Sequence, residues 1–358
     1  MHARRHYCTY FDSRYLTRGL ALYNSLRKHA PRFVLHVLCL DEPTYDYLAG
    51  ANLDGVRPIE LSDFETWDPS LPAVKPSRSL VEYYFTCAPN LVLYVMDHLP
   101  NVSGVTYLDA DLYFFEDPAP IYEEIGSGSV GIIGHRFPPP QTHLEVHGIY
   151  NVGFLFFRND EPGRRCLEWW RERCLEWCYD KVEDGKFADQ KYLDQWPTLF
   201  NGVVVVKNKG AGVAPWNQAR HAITTSGRRL YVGGEPLIFY HFHALRLASW
   251  IISMHGLARY GGTMTTVLKS RIYVPYIREL RRLQRHVMVG ARTEIRCSAP
   301  ETITQVARSI TYERIIILAG PLALETELAR VMSPIAWLFR LVRNLISTWI
   351  PSTVTRKS

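Results

Sequence analysis

Apolar positions follow two rhythms along the first half of the chain. Short runs such as "HYCTYF", "FVLHVLCLD", "GVRPIEL" and "GVTYLDAD" are mainly apolar and stop at turn residues or carboxylates. That is the pattern of strands buried on both faces. Between them, "YLTRGLALYNSLRKH" puts Leu16, Leu20, Tyr23 and Leu26 on one side of a helix. "SLVEYYFTCAPNLVLYVMDHL" reads as mostly helical, with a break or a new start at Pro89. Alternating strands and helices predict an α/β fold built on a Rossmann-like, mostly parallel sheet. Ligands of such sheets bind beyond the carboxyl ends of the strands.

The pattern continues downstream. "SVGIIGHRF" and "YNVGFLFFR" read as strands, the second with Gly153 inside it, and "PGRRCLEWWRERCLEWCYDKV" as a helix with Pro162 near its start. "FADQKYLDQW" reads as a short helix, "GVVVVKN" as a strand, and "LIFYHFHAL" as a strand leading into a loop. The final third differs. "RIYVPYIRELRRLQRHV" is a basic helix, and in "PIAWLFRLVRNLISTWIP" Ile335, Leu338, Phe339, Val342, Leu345, Ile346 and Trp349 recur at helical spacing. The expected division is an α/β domain over 1–262 and a basic, amphipathic helical extension over 263–358.

Composition narrows this picture. A chain of 358 residues with 47% apolar and 21% charged residues is globular rather than disordered. Its net charge of +6 is mild, but basic residues concentrate between Lys269 and Arg314, which predicts a local anionic partner rather than a generally basic protein; no nucleic-acid partner is expected. The start, "MHARRHYCTYFD", lacks the apolar core of a signal peptide, and no apolar run reaches the length of a bilayer span. A cytoplasmic chain is expected, with the apolar face at 335–349 either in peripheral contact with the inner face of the membrane or packed on protein. Seven cysteines form no disulfide framework; Cys166, Cys174 and Cys178 match no zinc spacing and read as buried thiols.

The stretch "VTYLDADLYFFEDP" carries the chemistry. Asp109 and Asp111 stand one residue apart at the end of an apolar strand, where two carboxylates repel and are costly to bury. At a strand end that turns, both can converge on one hard divalent cation, Mn²⁺ or Mg²⁺, which removes the repulsion. Such an ion neutralises a diphosphate leaving group. The rival readings are two surface acids and a phosphosugar phosphatase; in phosphatases with this motif Thr or Val follows, whereas Leu112 and Tyr113 follow here. In "HFH", His241 and His243 share one side of an extended segment, as a metal ligand and a phosphate ligand or as two structural histidines.

With these motifs in order, the chain from Tyr7 to Arg246 resembles a GT-A-fold glycosyltransferase, similar to glycosyltransferase family 8 and to bacterial polysaccharide or O-antigen transferases. The resemblance makes "YLDADLYFFEDP" the metal motif and "YHFHAL" the loop whose His241 completes the metal site, with His243 in reserve. It places Asn151 and Gly153 of "YNVGFLFF" near a donor sugar, and makes Asp189 and Gln190 of "FADQKYLD" the catalytic pair that contacts sugar hydroxyls. Thr9 and Tyr15 are implied at the nucleotide, with uridine the expected base, and Arg246 at the diphosphate. Phe85 stands where the family has Arg, and Arg246 is displaced from the family's Lys. The implied activity is transfer of a sugar from a nucleotide-sugar to a saccharide or lipid-linked acceptor in bacterial cell-surface polysaccharide synthesis. The Asp-Gln match favours retention of configuration, while Asp189 also suits the general base of an inverting enzyme. The contrasting expectation is a non-catalytic carbohydrate-binding protein of the same fold.

Overall fold

Seven strands form the central sheet of the computed structural model, which describes residues 4–30, 32–247, 252–290 and 315–317. The first half runs β1 (Arg5–Phe11), α1 (Leu16–His29), β2 (Phe33–Cys39), α2 (Glu42–Ala51) and β3 (Val56–Glu60). It continues with α3 (Leu61–Trp67), α4 (Ser70–Val74), α5 (Leu80–His98), β4 (Gly104–Leu108), β5 (Leu112–Phe114) and α6 (Ala119–Ile125). Then follow β6 (Val130–Gly134), β7 (Tyr150–Arg158), α7 (Glu161–Glu176), α8 (Trp196–Leu199) and β8 (Val203–Val206). Smaller strands β9 (Ile223–Ser226), β10 (Arg229–Val232), β11 (Glu235–Pro236) and β12 (Phe239–His241) lead to β13 (Arg246–Leu247), β14 (Ile252–Met254), α9 (Val274–Gly290) and β15 (Ile315–Ile317).

The sheet order is β3-β2-β1-β4-β7-β6-β8. Every neighbouring pair is parallel except those made by β7, which runs against both β4 and β6. The expected mostly parallel α/β sheet is therefore present. The reversal of β7 matters for the site: it brings the beginning of β7 to the carboxyl end of β4, with Phe154 opposite Leu108.

Local chemistry explains three of the helix starts. Asp41 caps α2 by accepting from the amide of Thr44, and Asp160 caps α7 by accepting from Gly163. Ser79 and Glu82 form a reciprocal capping box at α5. The break expected at Pro89 is absent: α5 continues through it. A proline withholds one helix N–H. Just beyond it the buried side-chain amide of Asn90 donates to the carbonyl of Thr86, at 2.9 Å, and burial on the core holds the rest of the helix in place. The core packs Tyr107, Phe157, Trp170 and Trp196 with the thiols of Cys166, Cys174 and Cys178, all three free and buried.

The chain divides into two compact units. The first takes residues 1–243 and 257–298 and includes α9, whose Asn24–Glu279 hydrogen bond of 2.8 Å ties it to α1. Its apolar side buries Tyr276, Ile277, Leu280 and Leu283, while Arg278, Arg282 and Arg285 stay exposed. The second takes residues 244–256 and 299–358; its described part is the antiparallel set β13-β14-β15. The amphipathic stretch at 335–349 lies outside the described residues. Among the described residues no helix is long and apolar enough to cross a membrane.

Candidate metal-binding active site

β4 ends at Leu108, and the chain turns at once: the amide of Leu112 donates to the carbonyl of Asp109 at 3.2 Å. Asp109 and Asp111 sit in that turn, before β5. β5 pairs antiparallel with β12, setting Leu112 opposite His241. The backbone of His241 is pinned by its own amide, which donates to Val213 O at 2.8 Å, and by the next amide, Phe242, which donates to Asp111 O at 3.0 Å. Strand pairing, not chance proximity, carries the imidazole to the carboxylates.

One ligand atom each from Asp109, Asp111 and His241 lie within 4.8 Å of one another. Nε2 of His241 is 3.0 Å from Asp111 Oδ1 and 3.6 Å from Asp109 Oδ2. The hydroxyl of Tyr107 donates to Asp109 Oδ1 at 2.9 Å and fixes that carboxylate. Electrostatics follow from this crowding. Burial raises the Asp109 carboxyl, against the opposing pull of His241, and the charge of Asp111 adds to the rise. Burial also opposes ionisation of Asp111, but His241 outweighs it and holds that carboxyl down at about 2. Burial disfavours the His241 imidazolium, yet the two carboxylates outweigh it and raise the imidazole above its ordinary range. Two carboxylates and one imidazole fit a hard divalent cation, which would replace the imidazolium as the neutralising charge.

The three donors open into a cleft of about 680 Å³. One wall brings Tyr10, Tyr15, Leu40, Tyr84 and Phe85; another brings Phe137, His147, Trp216 and Tyr260. Asn151, Asp189 and Gln190 also line it. Asn151 Oδ1 accepts from the Gly153 amide at 2.9 Å, and its Nδ2 donates to Gln190 Oε1 at 3.2 Å and meets His135 Nε2 at 3.3 Å. Gln190 Nε2 donates to His147 O at 3.0 Å. Asp189 is buried, and burial, with the charge of Asp109 added, holds its carboxyl well above the usual range.

The other residues singled out in the sequence fall as follows. Tyr15 lines the cleft half-exposed, with the Arg18 guanidinium 4.4 Å from its ring centroid. Thr9 is fully buried on β1 and is not among the lining residues; its neighbour Tyr10 is. Gly153 works through His241 rather than through open space: a Cβ there would fall 2.9 Å from His241 Nδ1 and 2.6 Å from Asn151 Oδ1. His243 lines the cleft and stands outside the three-donor set, with its ring 5.5 Å from that of Trp216; burial pushes its imidazole down to about 4. Arg246 is an exposed residue of β13, in the second unit.

Sequence reasoning missed Tyr107, His135 and Trp216. Tyr107 was findable, since it lies two positions before Asp109 and so on the same side of an extended strand. The Trp216 ring packs edge-on to His241 at 5.1 Å, and nothing local in "APWNQ" signals that contact.

No family model matches the chain. Against solved structures it is similar to the galactosyltransferase LgtC crystallised with donor and acceptor sugar analogs, at 17% identity over 75% of this chain and 100% of that one, TM-score 0.45. It is also similar to mouse xyloside xylosyltransferase 1, at 14% identity over 68% and 98% of the two chains, TM-score 0.45. Among curated proteins, the uncharacterized YfnF of Bacillus subtilis is 35% identical over 251 residues, 68% of this chain and 82% of the relative. YfnD of the same organism, also uncharacterized, is 31% identical over 280 residues, 77% and 89% of the two chains. The chain belongs to the family of YfnF and YfnD.

Proposed function

We propose that the chain is a metal-dependent glycosyltransferase of the GT-A type, moving a sugar from a nucleoside-diphosphate sugar to an acceptor. The observation that carries this reading is a single one. Asp109, Asp111 and His241 converge in a cleft at the carboxyl ends of a mostly parallel sheet, beside a hydrogen-bonded Asn151–Gln190 pair and the buried carboxyl of Asp189. Sequence motifs for the same activity occur at those positions and in that order.

In this account Asp109, Asp111 and His241 would hold Mn²⁺ or Mg²⁺, which when bound neutralises charge developing on a leaving diphosphate. Tyr107 keeps the Asp109 carboxylate oriented. Asn151 and Gln190 fix each other and present the remaining donor and acceptor positions of their amides to sugar hydroxyls. Asp189 sits near the Asp109 carboxylate in a dry part of the cleft and there accepts or donates at one hydroxyl. Tyr15 offers an exposed ring to a nucleotide base, with uridine the expected base. Arg246 is assigned to the diphosphate on the sequence resemblance alone. A bacterial cell-surface polysaccharide acceptor rests on the sequence resemblance, and a lipid-linked one on the amphipathic stretch at 335–349. Flotation of the full chain, and of one ending at Met332, with anionic liposomes tests the latter: equal recovery in the soluble fraction removes it.

The experiment that tests the activity is release of nucleoside diphosphate from a panel of nucleotide-sugars, with Mn²⁺, with Mg²⁺ and with chelator. Release of diphosphate from one donor family only when metal is present is expected. Metal-independent release, or release of inorganic phosphate from sugar phosphates, would overturn the reading.

A further inference from the structure

A second cavity, of about 260 Å³, lies at the opposite end of the sheet from the cleft. It is lined at the start of β1 by Arg4, Arg5 and His6, at the start of β4 by Gly104 and Thr106, by Tyr122 of α6, and at the end of β7 by Arg158. Because β7 is reversed, Arg158 pairs with Gly104. Asp109 follows the other end of β4, so a strand's length, roughly 16 Å, separates this cavity from the metal-binding turn.

The lining of the cavity is basic, while Asp117 and Asp160 just outside it pair with Arg5 and Arg158. Three guanidinium groups and an imidazole line it, and no carboxylate is among its lining residues. Two of the guanidinium groups are already oriented. Arg5 donates to Asp117 Oδ1 at 3.1 Å and lies 4.7 Å from the Tyr122 ring centroid. Arg158 donates to Gly128 O at 3.0 Å and to Gly126 O at 2.7 Å, with its Nε 3.8 Å from Asp160 Oδ2. These bonds use a minority of the N–H groups each side chain carries. Arg4 is exposed and makes no ion pair among the described residues. Thr106 Oγ1 and the Tyr122 hydroxyl share one hydrogen bond of 2.8 Å. The cavity therefore combines fixed donors, the positive charge of Arg4 and room for a tetrahedral oxyanion. A phosphoryl group supplies what it lacks: negative charge and several acceptor oxygens in a compact volume.

We propose that this cavity is a second ligand site, distinct from the cleft, that binds a phosphate-bearing anion through Arg4, Arg5 and Arg158. The proposal does not depend on the reaction assigned to the cleft. The anion is either free phosphate or the phosphomonoester of a small metabolite.

Isothermal titration of the full chain tests it, in chelator so that the cleft recruits no metal-bound phosphate. Inorganic phosphate is titrated first, then glucose 1-phosphate and uridine monophosphate. One saturable phosphate per chain is expected. Arg4→Glu, which alters an exposed side chain, should weaken it by about tenfold, the scale of one charge-assisted contact. Arg158→Gln should weaken it as well, and Asp111→Asn in the cleft should leave it unchanged. Tighter binding of a phosphomonoester than of phosphate, weakened by Arg4→Glu, identifies the metabolite as the ligand; equal binding identifies free phosphate. Absence of saturable binding, or binding that Arg4→Glu leaves unmoved, overturns the proposal.

Discussion

Gly153 and His241 are in contact through a missing atom. A Cβ on residue 153 would lie 2.9 Å from His241 Nδ1 and 3.0 Å from its Cε1, closer than real side chains approach. The imidazole occupies the space that glycine leaves, with Nε2 turned toward Asp111. Gly153→Ala is therefore expected to displace both the imidazole and the Asn151 amide, whose Oδ1 would lie 2.6 Å from the Cβ, while leaving β7 paired. Metal affinity should fall by about 10–100-fold, the usual effect of disturbing a ligand's support. Calorimetric titration with Mn²⁺ checks this. Unchanged affinity would mean that the ring has another way to reach the ion.

The Asn151–Gln190 hydrogen bond predicts non-additive losses. Asn151→Ala and Gln190→Ala should each lower kcat/KM by about 1–3 kcal/mol, the cost of leaving a partly buried polar partner unpaired. The double variant should lose less than the sum, because each single change already breaks the shared bond. Binding of the nucleoside diphosphate should stay nearly constant. Equal losses in nucleotide affinity would move the pair to the nucleotide end of the cleft.

The ionisable cluster predicts a pH dependence of the metal-free chain. His241 is raised above its unfolded value, so the stability it contributes is fully present below about pH 6.5 and is lost as pH rises through the folded value. Asp111, held down at about 2, contributes stability above about pH 3.9 that is lost as pH falls toward 2. In chelator, the melting temperature of the native chain should exceed that of His241→Gln most between these limits and converge with it at alkaline pH. Added Mn²⁺ should reverse the trend, since the ligand binds as the neutral imidazole and stabilisation then grows with pH. A gap independent of pH, with or without metal, would show that His241 acts by packing alone.

How much of this was legible in the sequence depends on the range of the contacts involved. The strand–helix rhythm and the "LDAD" turn are set within a few residues, and both could be read. Thr9 and Tyr10 show how fine the limit is: the cleft takes the last residues of β1, Tyr10 and Phe11, and stops one short of Thr9. Pro89 misleads because the rule against proline in helices is local, whereas the bond that Asn90 Oδ1 accepts from Arg171 Nε at 2.9 Å and the buried surroundings of α5 are tertiary. The small strands β9 to β11 turn at Gly227 and at Gly233–Gly234, signals present in "TTSGRRLYVGGEP" and left unread. The approach of Trp216 and of the β12 strand to the metal-binding turn depends on pairings between distant segments, which no local pattern encodes.

The most direct test of the central claim is Mn²⁺-dependent release of nucleoside diphosphate by the native chain and by Asp111→Asn, compared with the donor that the native chain prefers. The substitution removes one charge from the metal-binding turn and no core volume, so the fold should survive, as a retained melting temperature in chelator would show. The account predicts donor turnover by the native chain with metal and none above background by the variant. Turnover by Asp111→Asn at the native rate would contradict it.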